Sequence, residues 1–304
     1  MSLAEAMREE ASIVAAELRP PRAELDSVDG MDAWIDTYHA VRSLTGRLKA
    51  APTSQRTRVF LTDSAVGTQE ENNLRHLVAN MGRDVSRDHV IPFLTSKHSL
   101  EFCLSYAEQA AQHGFSSLVV LGGDKTVGRP RCVEHASQLR EEIRRRVPTL
   151  TLGGWANPYA DPARQADFLL DDHFTGEYYL TQVVTHLDMA PVTRFLDETY
   201  RRGVKMPGMF GVFYYRSANA KTLQILKQFM PVPVDALLAE FAGGATPIEV
   251  CARTIRAMLD VGVRHFYVSN LPLMGAATTL SAILGRVEAL RYLDTTGTST
   301  PARS

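Results

Sequence analysis

The chain has 304 residues, of which 45% are hydrophobic and 22% are charged, and its formal net charge is −1. This is the composition of an ordinary globular protein, and the balanced charge excludes a general attraction to nucleic acid or to anionic lipid. No stretch approaches the roughly 18 apolar residues of a membrane span, and the N-terminal MSLAEAMREEA lacks the apolar core of a signal peptide. We therefore expect a cytoplasmic protein that binds neither nucleic acid nor membranes.

The three cysteines, Cys103, Cys132 and Cys251, lie far apart and show no metal-ligand spacing. They are predicted to be free thiols in a reducing compartment. The isolated histidines His186 and His265 form no ligand pair either, so no metal site is predicted.

Eight short segments are apolar on successive residues, which is typical of parallel strands buried on both faces. In chain order they are SIVAAEL (12–18), RVFLTDS (58–64), HVIPFLTS (89–96), SLVVLGGD (117–124), TLTLGGWA (149–156), YYLTQVVTH (178–186), KMPGMFGVF (205–213) and HFYVSNLP (265–272).

Amphipathic segments of helical length lie between these strands, and four are clear: 31–51, 99–114, 188–203 and 246–262. The second begins at a capping residue, Ser99, and ends at Gly114, while the fourth has Pro247 in its first turn and Gly262 at its end. A further short helix is predicted within 228–245, before the last strand.

Eight strands that each precede helical sequence predict an α/β fold, a single (βα)8 TIM barrel over residues 1–293. It would have a short N-terminal extension, an extra helix before the last βα unit and a disordered tail over 294–304. The alternative, an open doubly wound sheet, needs a glycine-rich turn after the first strand. That strand ends instead in Glu-Leu-Arg-Pro-Pro, which cannot bind a pyrophosphate.

Chemistry in such a barrel lies at the carboxyl ends of the strands. The polar and aromatic residues there are Glu17, Thr62, Asp63, Thr95, Asp124, Trp155, Asn157, Gln182, Tyr214, Tyr215, Ser269 and Asn270. Glu17 has two readings: a carboxylate bonded to Arg19 or to a backbone amide, or an acid whose pKa is raised by an apolar pocket. Asp124 follows two glycines, where aspartate commonly caps a turn. Gln182, between apolar residues, requires a partner that both donates and accepts.

These motifs, taken in order, resemble the methylenetetrahydrofolate reductase family from about residue 14 to 285. The resemblance rests on AAELRPPRAEL, VFLTDSAVG, PFLTS, LVVLGGDKT, EYYLTQVV, MPGMFGV and GVRHFYVSN. It implies a folate substrate, a reduced nicotinamide and Glu17 as the general acid that opens the substrate's five-membered ring. It further implies that Asp124, Gln182, Tyr215 and Asn270 bind the substrate, and that Thr62, Gly123, Trp155 and Asp167 lie at the cofactor site.

The chain departs from the family where the family binds FAD. Asp167 is kept, but Asp171, Asp172 and His173 stand in place of a basic cluster. Phe93 replaces a histidine of the third strand, and Gly122 replaces an arginine. Negative charges repel a pyrophosphate, so we expect weak FAD binding or none, with hydride passing directly from NADH or NADPH.

The family also holds the substrate tail with an arginine after the last strand, and here Leu271 and Pro272 follow Asn270 instead. Lys125, Lys221 or Arg216 are the replacements that the sequence offers. Two other functions stay open: a different one-carbon transfer in the same pterin pocket, or a non-catalytic folate-binding partner of a reductase. The apolar stripe LSAILGRVEALRYL on the last helix is either core or the interface of a homo-oligomer.

Overall fold

The structure is a computed structural model that describes residues 1–10, 12–21, 27–46, 57–63 and 85–296. Its strands are β1 (Ile13–Leu18), β2 (Arg58–Leu61), β3 (Val90–Thr95), β4 (Ser117–Leu121), β5 (Thr151–Ala156), β6 (Tyr178–Val184), β7 (Gly208–Phe213) and β8 (His265–Ser269). All eight predicted strands are confirmed. They pair in parallel in chain order and close on themselves, because β1 pairs with both β2 and β8. The predicted TIM barrel is therefore confirmed.

The helices in the described residues are α1 (Leu3–Glu9), α2 (Ser27–Thr45), α3 (Leu100–Gln112), α4 (Ala136–Arg146), α5 (Pro162–Leu170), α6 (Ala190–Arg201), α7 (Ala220–Leu226), α8 (Val234–Ala242), α9 (Pro247–Asp260) and α10 (Ala276–Thr296). The predicted helices correspond to α2, α3, α6 and α9, and the extra helix is α8. Residues 297–304, most of the predicted tail, lie outside the described residues, as do 47–51 of the first predicted helix.

Helix caps explain where several helices begin. The hydroxyl of Ser99 accepts a hydrogen bond from the backbone N–H of Phe102 at 3.2 Å, as the sequence predicted. Thr246 and Glu249 form a reciprocal capping box around Pro247 at the start of α9. Gly114 and Gly262 follow α3 and α9 with φ values of +82° and +88°, which glycine adopts at low cost.

Side chains fill the barrel interior, as expected of this fold. Helix α1 closes its amino-terminal end, where Leu3 and Met7 join the apolar cluster inside the strands. The last helix, α10, buries Leu280, Ile283 and Val287 in the outer cluster between strands and helices. Those three positions of its apolar stripe therefore belong to the core.

Two tyrosines span the interior by passing over a neighbouring strand. The hydroxyl of Tyr178 on β6 donates to the carbonyl of Leu118 on β4 at 3.0 Å, and its ring passes over Gly153 of β5. The hydroxyl of Tyr267 on β8 donates to the carbonyl of Thr181 on β6 at 2.5 Å. Its ring passes over Gly211 of β7, where an added Cβ would lie 2.5 Å from the hydroxyl oxygen. Each glycine makes room for a tyrosine that bonds two strands away.

Candidate active site

Side chains alternate between the interior and the helices along each strand. Ala15, Leu180, Met209 and Tyr267 belong to the interior cluster, so residues two or four positions further on face the same way. They form the open carboxyl end of the barrel, which we call the mouth; its lining, one residue from each strand or its end, is Glu17, Thr62, Thr95, Leu121, Trp155, Gln182, Phe213 and Ser269. Leu121 and Trp155 are half-buried and pack against the interior cluster. The mouth therefore combines apolar side chains with hydroxyl and amide groups, and Glu17 contributes a carboxyl group to its wall.

Glu17 accepts a hydrogen bond from the Ser269 hydroxyl, with 2.8 Å between Oε1 and Oγ. Burial raises the pKa of Glu17 and outweighs the opposing effects of this hydrogen bond and of the Arg19 charge. Arg19 is exposed and makes no hydrogen bond to Glu17 within the described residues. Of the two readings left open by the sequence, the structure therefore favours an acid with a raised pKa over a carboxylate paired with Arg19.

The floor below Glu17 is aromatic. Ala15 lies on β1 two residues before Glu17, and Tyr267 of β8 is its partner in the strand register. The charge of Glu17 helps to raise the pKa of Tyr267. The ring of Phe60 contacts Tyr267 edge-on at 5.8 Å and Phe93 at 5.5 Å between centroids. This floor excludes water from below, which is the cause of the raised pKa of Glu17.

Asn270, predicted to bind substrate, joins the ends of β7 and β8. It has a left-handed backbone, φ +67°, and its Nδ2 donates to the carbonyl of Tyr214 at 3.0 Å. In return the N–H of Tyr214 donates to the carbonyl of Ser269 at 3.0 Å. Arg216 donates to the carbonyls of Asn270 and Leu271, so its guanidinium is also bound within the wall. These bonds fix the position from which Ser269 reaches Glu17.

Gln182 lies at an irregularity of β6, where the register with β7 shifts between Leu180 and Val183. Its Oε1 accepts a hydrogen bond from the N–H of Val183 at 2.9 Å. No residue in the described ranges accepts a hydrogen bond from Nε2 of Gln182, so the two N–H donors of this amide are available at the mouth. Register irregularities of this kind are common next to active sites.

Asp124 caps the loop that follows β4. Its Oδ1 accepts from the N–H groups of Thr126 and Val127 and from the Thr126 hydroxyl at 2.7 to 3.0 Å, and these bonds lower its pKa. The turn-capping role weighed from the sequence is therefore observed. The preceding Gly123 has φ +71° and its carbonyl accepts from Arg131. An added Cβ on Gly122 would lie 2.7 Å from Cζ of Arg131, so that guanidinium fills the space that a side chain at 122 would occupy.

A polar cluster at the ends of β2 and β3 joins Asp63 and Thr95, two of the strand-end residues named from the sequence, to Lys97 and His98, which were not singled out. Oδ2 of Asp63 accepts from the N–H and hydroxyl of Thr95 at 2.7 and 2.9 Å, and lies 2.8 Å from Nε2 of His98. Lys97, 2% exposed, donates to the carbonyls of Val127 and Arg129 at 2.7 and 2.6 Å. Thr62 is bonded through its backbone N–H to the carbonyl of Leu18. This cluster holds the β4 loop beside the mouth.

Tyr215, predicted to stack on the substrate, is only 6% exposed and packs with Leu223, Val232 and Leu237 beneath α7 and α8. Burial raises its pKa. The ring that faces the mouth is that of Phe213, in contact with Tyr215 at 4.9 Å. The packing of the α7–α8 segment determines that Phe213 and not Tyr215 faces the mouth, and the sequence does not reveal this packing.

Asp167 lies on α5, where its carboxylate pairs with Arg202 just after α6. Helix α6 begins at the carboxyl end of β6 and ends at the opposite end of the barrel, so this pair lies away from the mouth. The structure thus does not bring Asp167 together with Glu17. Asp171 accepts from the N–H of His173 at 2.8 Å, and His173 pairs with Glu141, which raises its pKa.

A cavity of about 320 Å³ adjoins the carboxyl ends of β5 and β6. Its walls come from the loops after these strands and from the segment between α7 and α8: Tyr159, Thr185, Asp188, Lys227, Met230, Pro231, Val232 and Pro233. Burial and the charge of Asp188 raise the pKa of Tyr159 to about 12. The cavity is mostly apolar with one charge of each sign, as ligand pockets often are.

The described residues contain no group of three or more histidine, cysteine, aspartate or glutamate side chains placed to bind a metal ion. None of the helices in the described ranges is both long and apolar enough to cross a lipid bilayer. None of the three cysteines, Cys103, Cys132 and Cys251, forms a disulfide bond.

No protein-family model matches the chain, and no curated protein matches it in sequence. Its fold is similar to that of solved structures, including an uncharacterized protein from Clostridium thermocellum that binds two copies of 5-methyl-5,6,7,8-tetrahydrofolic acid. The two are 14% identical, with a TM-score of 0.67, and the match covers 96% of this chain and 99% of that one. At this identity the likeness establishes a shared barrel fold.

Proposed function

We propose that the protein binds a reduced folate at the mouth and reduces 5,10-methylenetetrahydrofolate to 5-methyltetrahydrofolate, with NADH or NADPH as hydride donor and without flavin. The observation that carries the proposal is Glu17: a carboxyl group at the barrel mouth whose pKa is raised by burial and whose partner is a hydroxyl group. A structural ion pair would instead have lowered the pKa.

The reaction needs such an acid. In the substrate one carbon bridges two nitrogens in a five-membered ring. Protonation of one bridging nitrogen by Glu17 breaks its bond to that carbon and leaves an iminium at the other. Hydride transfer to the carbon makes the methyl group and oxidises the nicotinamide, while the proton from Glu17 stays on the released nitrogen. General acid catalysis of this kind typically contributes on the order of 10²- to 10⁴-fold in rate.

The other mouth residues suit a flat heterocycle. Gln182 offers two N–H donors, and Trp155 and Phe213 offer apolar aromatic surface against which a pterin or a nicotinamide would pack. Asp124 is ionised and stands in the β4 loop held by Lys97. Its Oδ2, which does not cap the turn, is the oxygen that we assign to the pterin.

The residues near α5 do not fit a flavin diphosphate. Asp167 is paired with Arg202, Asp171 caps the turn at His173, and His173 is paired with Glu141, so these side chains are already engaged within the protein. A carboxylate close to a phosphate group repels it, and this repulsion costs a few kcal/mol for each pair of like charges. We accordingly derive no step through FAD, and a colourless, active protein is the expected preparation.

The acidic tail of a folate needs a cation. Arg216 is bound to backbone carbonyls, whereas Lys227 lines the cavity beside the mouth. We therefore assign the tail to that cavity, with its aromatic portion against Met230 to Pro233. The folate bound by the Clostridium thermocellum protein, 5-methyltetrahydrofolic acid, is the product of the proposed reaction, which supports the substrate class.

A folate-binding protein without reductase activity is the second candidate. It is favoured by the structural neighbour, which is described by the folate that it binds and not by a reaction. One assay separates the two: oxidation of NADH and of NADPH is followed with methylenetetrahydrofolate, with and without added FAD, beside a binding titration with 5-methyltetrahydrofolate. Trp155 reports binding by fluorescence once the buried Trp34 is replaced by Phe. Folate-dependent oxidation without FAD supports the reductase, binding alone supports the second candidate, and absence of both refutes each.

A further inference from the structure

The hydroxyl group of Ser269 has one hydrogen-bond partner among the described residues, Oε1 of Glu17 at 2.8 Å. Ser269 is 9% exposed and follows Tyr267 on the inward face of β8. Because a hydroxyl carries one hydrogen and the ionised carboxylate can only accept, the hydrogen lies between Oγ and Oε1 when Glu17 is charged. This bond stabilises the charged form of Glu17.

The second carboxyl oxygen of Glu17 has a different environment. No residue of the described ranges is hydrogen-bonded to Oε2. If Oε1 is occupied by the Ser269 hydrogen, the proton of the neutral acid lies on Oε2. The two oxygens therefore have separate tasks: Oε1 anchors the side chain in the wall and Oε2 exchanges the proton with whatever occupies the mouth.

The bonds around Ser269 prevent it from moving away. Its backbone lies opposite Phe213 in the β7–β8 register, its carbonyl accepts from Tyr214, and Asn270 closes the strand end in a left-handed conformation. A residue with φ near +67° is costly unless glycine or asparagine occupies it. This strand end is thus built to hold a hydroxyl group against Glu17.

We propose that Ser269 is a positioning residue that holds Oε1 of Glu17, assigns the transferable proton to Oε2 and sets the pH range in which Glu17 acts as an acid. For its catalytic part the inference rests on the proposed function. For its electrostatic part it stands alone, since the protonation of Glu17 is measurable in a protein of any activity.

The direct test is a ¹³C NMR titration of protein labelled at the glutamate carboxyl carbons, with Glu17→Gln identifying the signal. Loss of a hydrogen bond to a charged group corresponds to about 1 to 2 pH units. Ser269→Ala is expected to raise the Glu17 midpoint by that amount, whereas Ser269→Thr, which keeps the hydroxyl, leaves it near the wild-type value. Ser117→Ala is the matched control, because the Ser117 hydroxyl is buried at the opposite end of the barrel, where it accepts from Leu3.

The kinetic test applies if the reductase activity exists. The limb of the kcat/KM profile that falls with rising pH should shift to higher pH by the same amount in Ser269→Ala and stay at the wild-type pH in Ser117→Ala. An unmoved Glu17 midpoint in Ser269→Ala overturns the inference even if the wild type is an active reductase. A moved midpoint in a protein without folate-dependent turnover upholds the electrostatic part and refutes the proposed function instead.

Discussion

The hydroxyl of Tyr267 on β8 donates a hydrogen bond to the carbonyl of Thr181 on β6, 2.5 Å away and across the intervening strand β7. The bond ends where β6 bulges, one residue before Gln182. It thereby links the strand that carries Ser269 to the strand that carries the amide we assign to the pterin. Tyr267 also forms the floor under Glu17. One buried side chain therefore supports both halves of the candidate site.

We expect Tyr267→Phe to lower the free energy of unfolding by about 1 to 3 kcal/mol, because the Thr181 carbonyl is left buried without its donor. It should also weaken folate binding severalfold, since the irregular part of β6 that carries Gln182 loses its support. Urea unfolding and a fluorescence titration measure the two effects.

Tyr178→Phe is the control for that experiment. Tyr178 makes the same kind of bond across a strand, to the carbonyl of Leu118, without contact to the bulge. It should cost a similar free energy of unfolding and leave folate binding unchanged. Equal losses of binding in both variants would show that Tyr267 acts on the site only through general stability.

Gly211→Ala is expected to destabilise the protein by about 1 to 3 kcal/mol, because the new Cβ would overlap the buried Tyr267 ring. Gly285→Ala is the contrast, since nothing lies within 4 Å of the Cβ it would add on helix α10. In a helix interior that change typically stabilises by up to about 1 kcal/mol. Thermal unfolding of both variants measures the difference, and equal effects would contradict the strand-crossing role of Tyr267.

The raised pKa of Glu17 has a consequence for stability. The folded state binds a proton that the unfolded chain releases above the ordinary carboxyl pKa of 4.5, so the free energy of unfolding falls as pH rises from 4.5 through the folded pKa. Glu17→Gln removes this cost and keeps an oxygen for Ser269 to bond. We expect it to be more stable than wild type at pH 8, with the difference shrinking toward pH 4.5. A pH-independent difference in melting temperature would argue against a raised pKa.

His265 predicts the opposite pH dependence at the amino-terminal end of the barrel. Its Nδ1 accepts from the N–H of Ile13 at 3.2 Å, and burial lowers its pKa from 6.5 to about 4. A histidine held neutral contributes stability that is present above pH 6.5 and is lost as pH falls toward 4. His265→Asn, which offers an uncharged acceptor, should flatten this acid limb in thermal unfolding. An unchanged limb would assign acid unfolding to other groups.

The barrel could be predicted because parallel strands buried on both faces leave continuous apolar runs, as in SLVVLGGD and YYLTQVVTH. Glu17 was found for the same reason, as a carboxylate in an apolar strand. Ser269 carried a usable signal: it follows His265 and Tyr267 at alternate positions and so faces the interior. Its bond to Glu17 depends on the closure of β8 against β1, because Ser269 and Glu17 lie 252 residues apart in sequence.

Other site residues could not be placed from the sequence. Tyr215 and Phe213 are both aromatic and two residues apart, and only the packing of α7 and α8 decides that Tyr215 is buried. Arg131 reaches Gly122 through a loop whose path is set by Lys97 and Asp124. Asp167 was assigned to the cofactor site by resemblance, whereas its ion pair with Arg202 depends on the packing of α5 against α6.

The most direct test of Glu17 as the acid compares turnover and binding in Glu17→Gln. Single-turnover oxidation of NADH or NADPH with methylenetetrahydrofolate is measured beside the fluorescence titration with 5-methyltetrahydrofolate. Because Gln keeps the size and the Ser269 bond but has no acidic proton, we predict binding within about threefold of wild type and a rate lower by on the order of 10² or more. A variant that binds folate and transfers hydride within a few-fold of the wild-type rate would contradict the proposed mechanism.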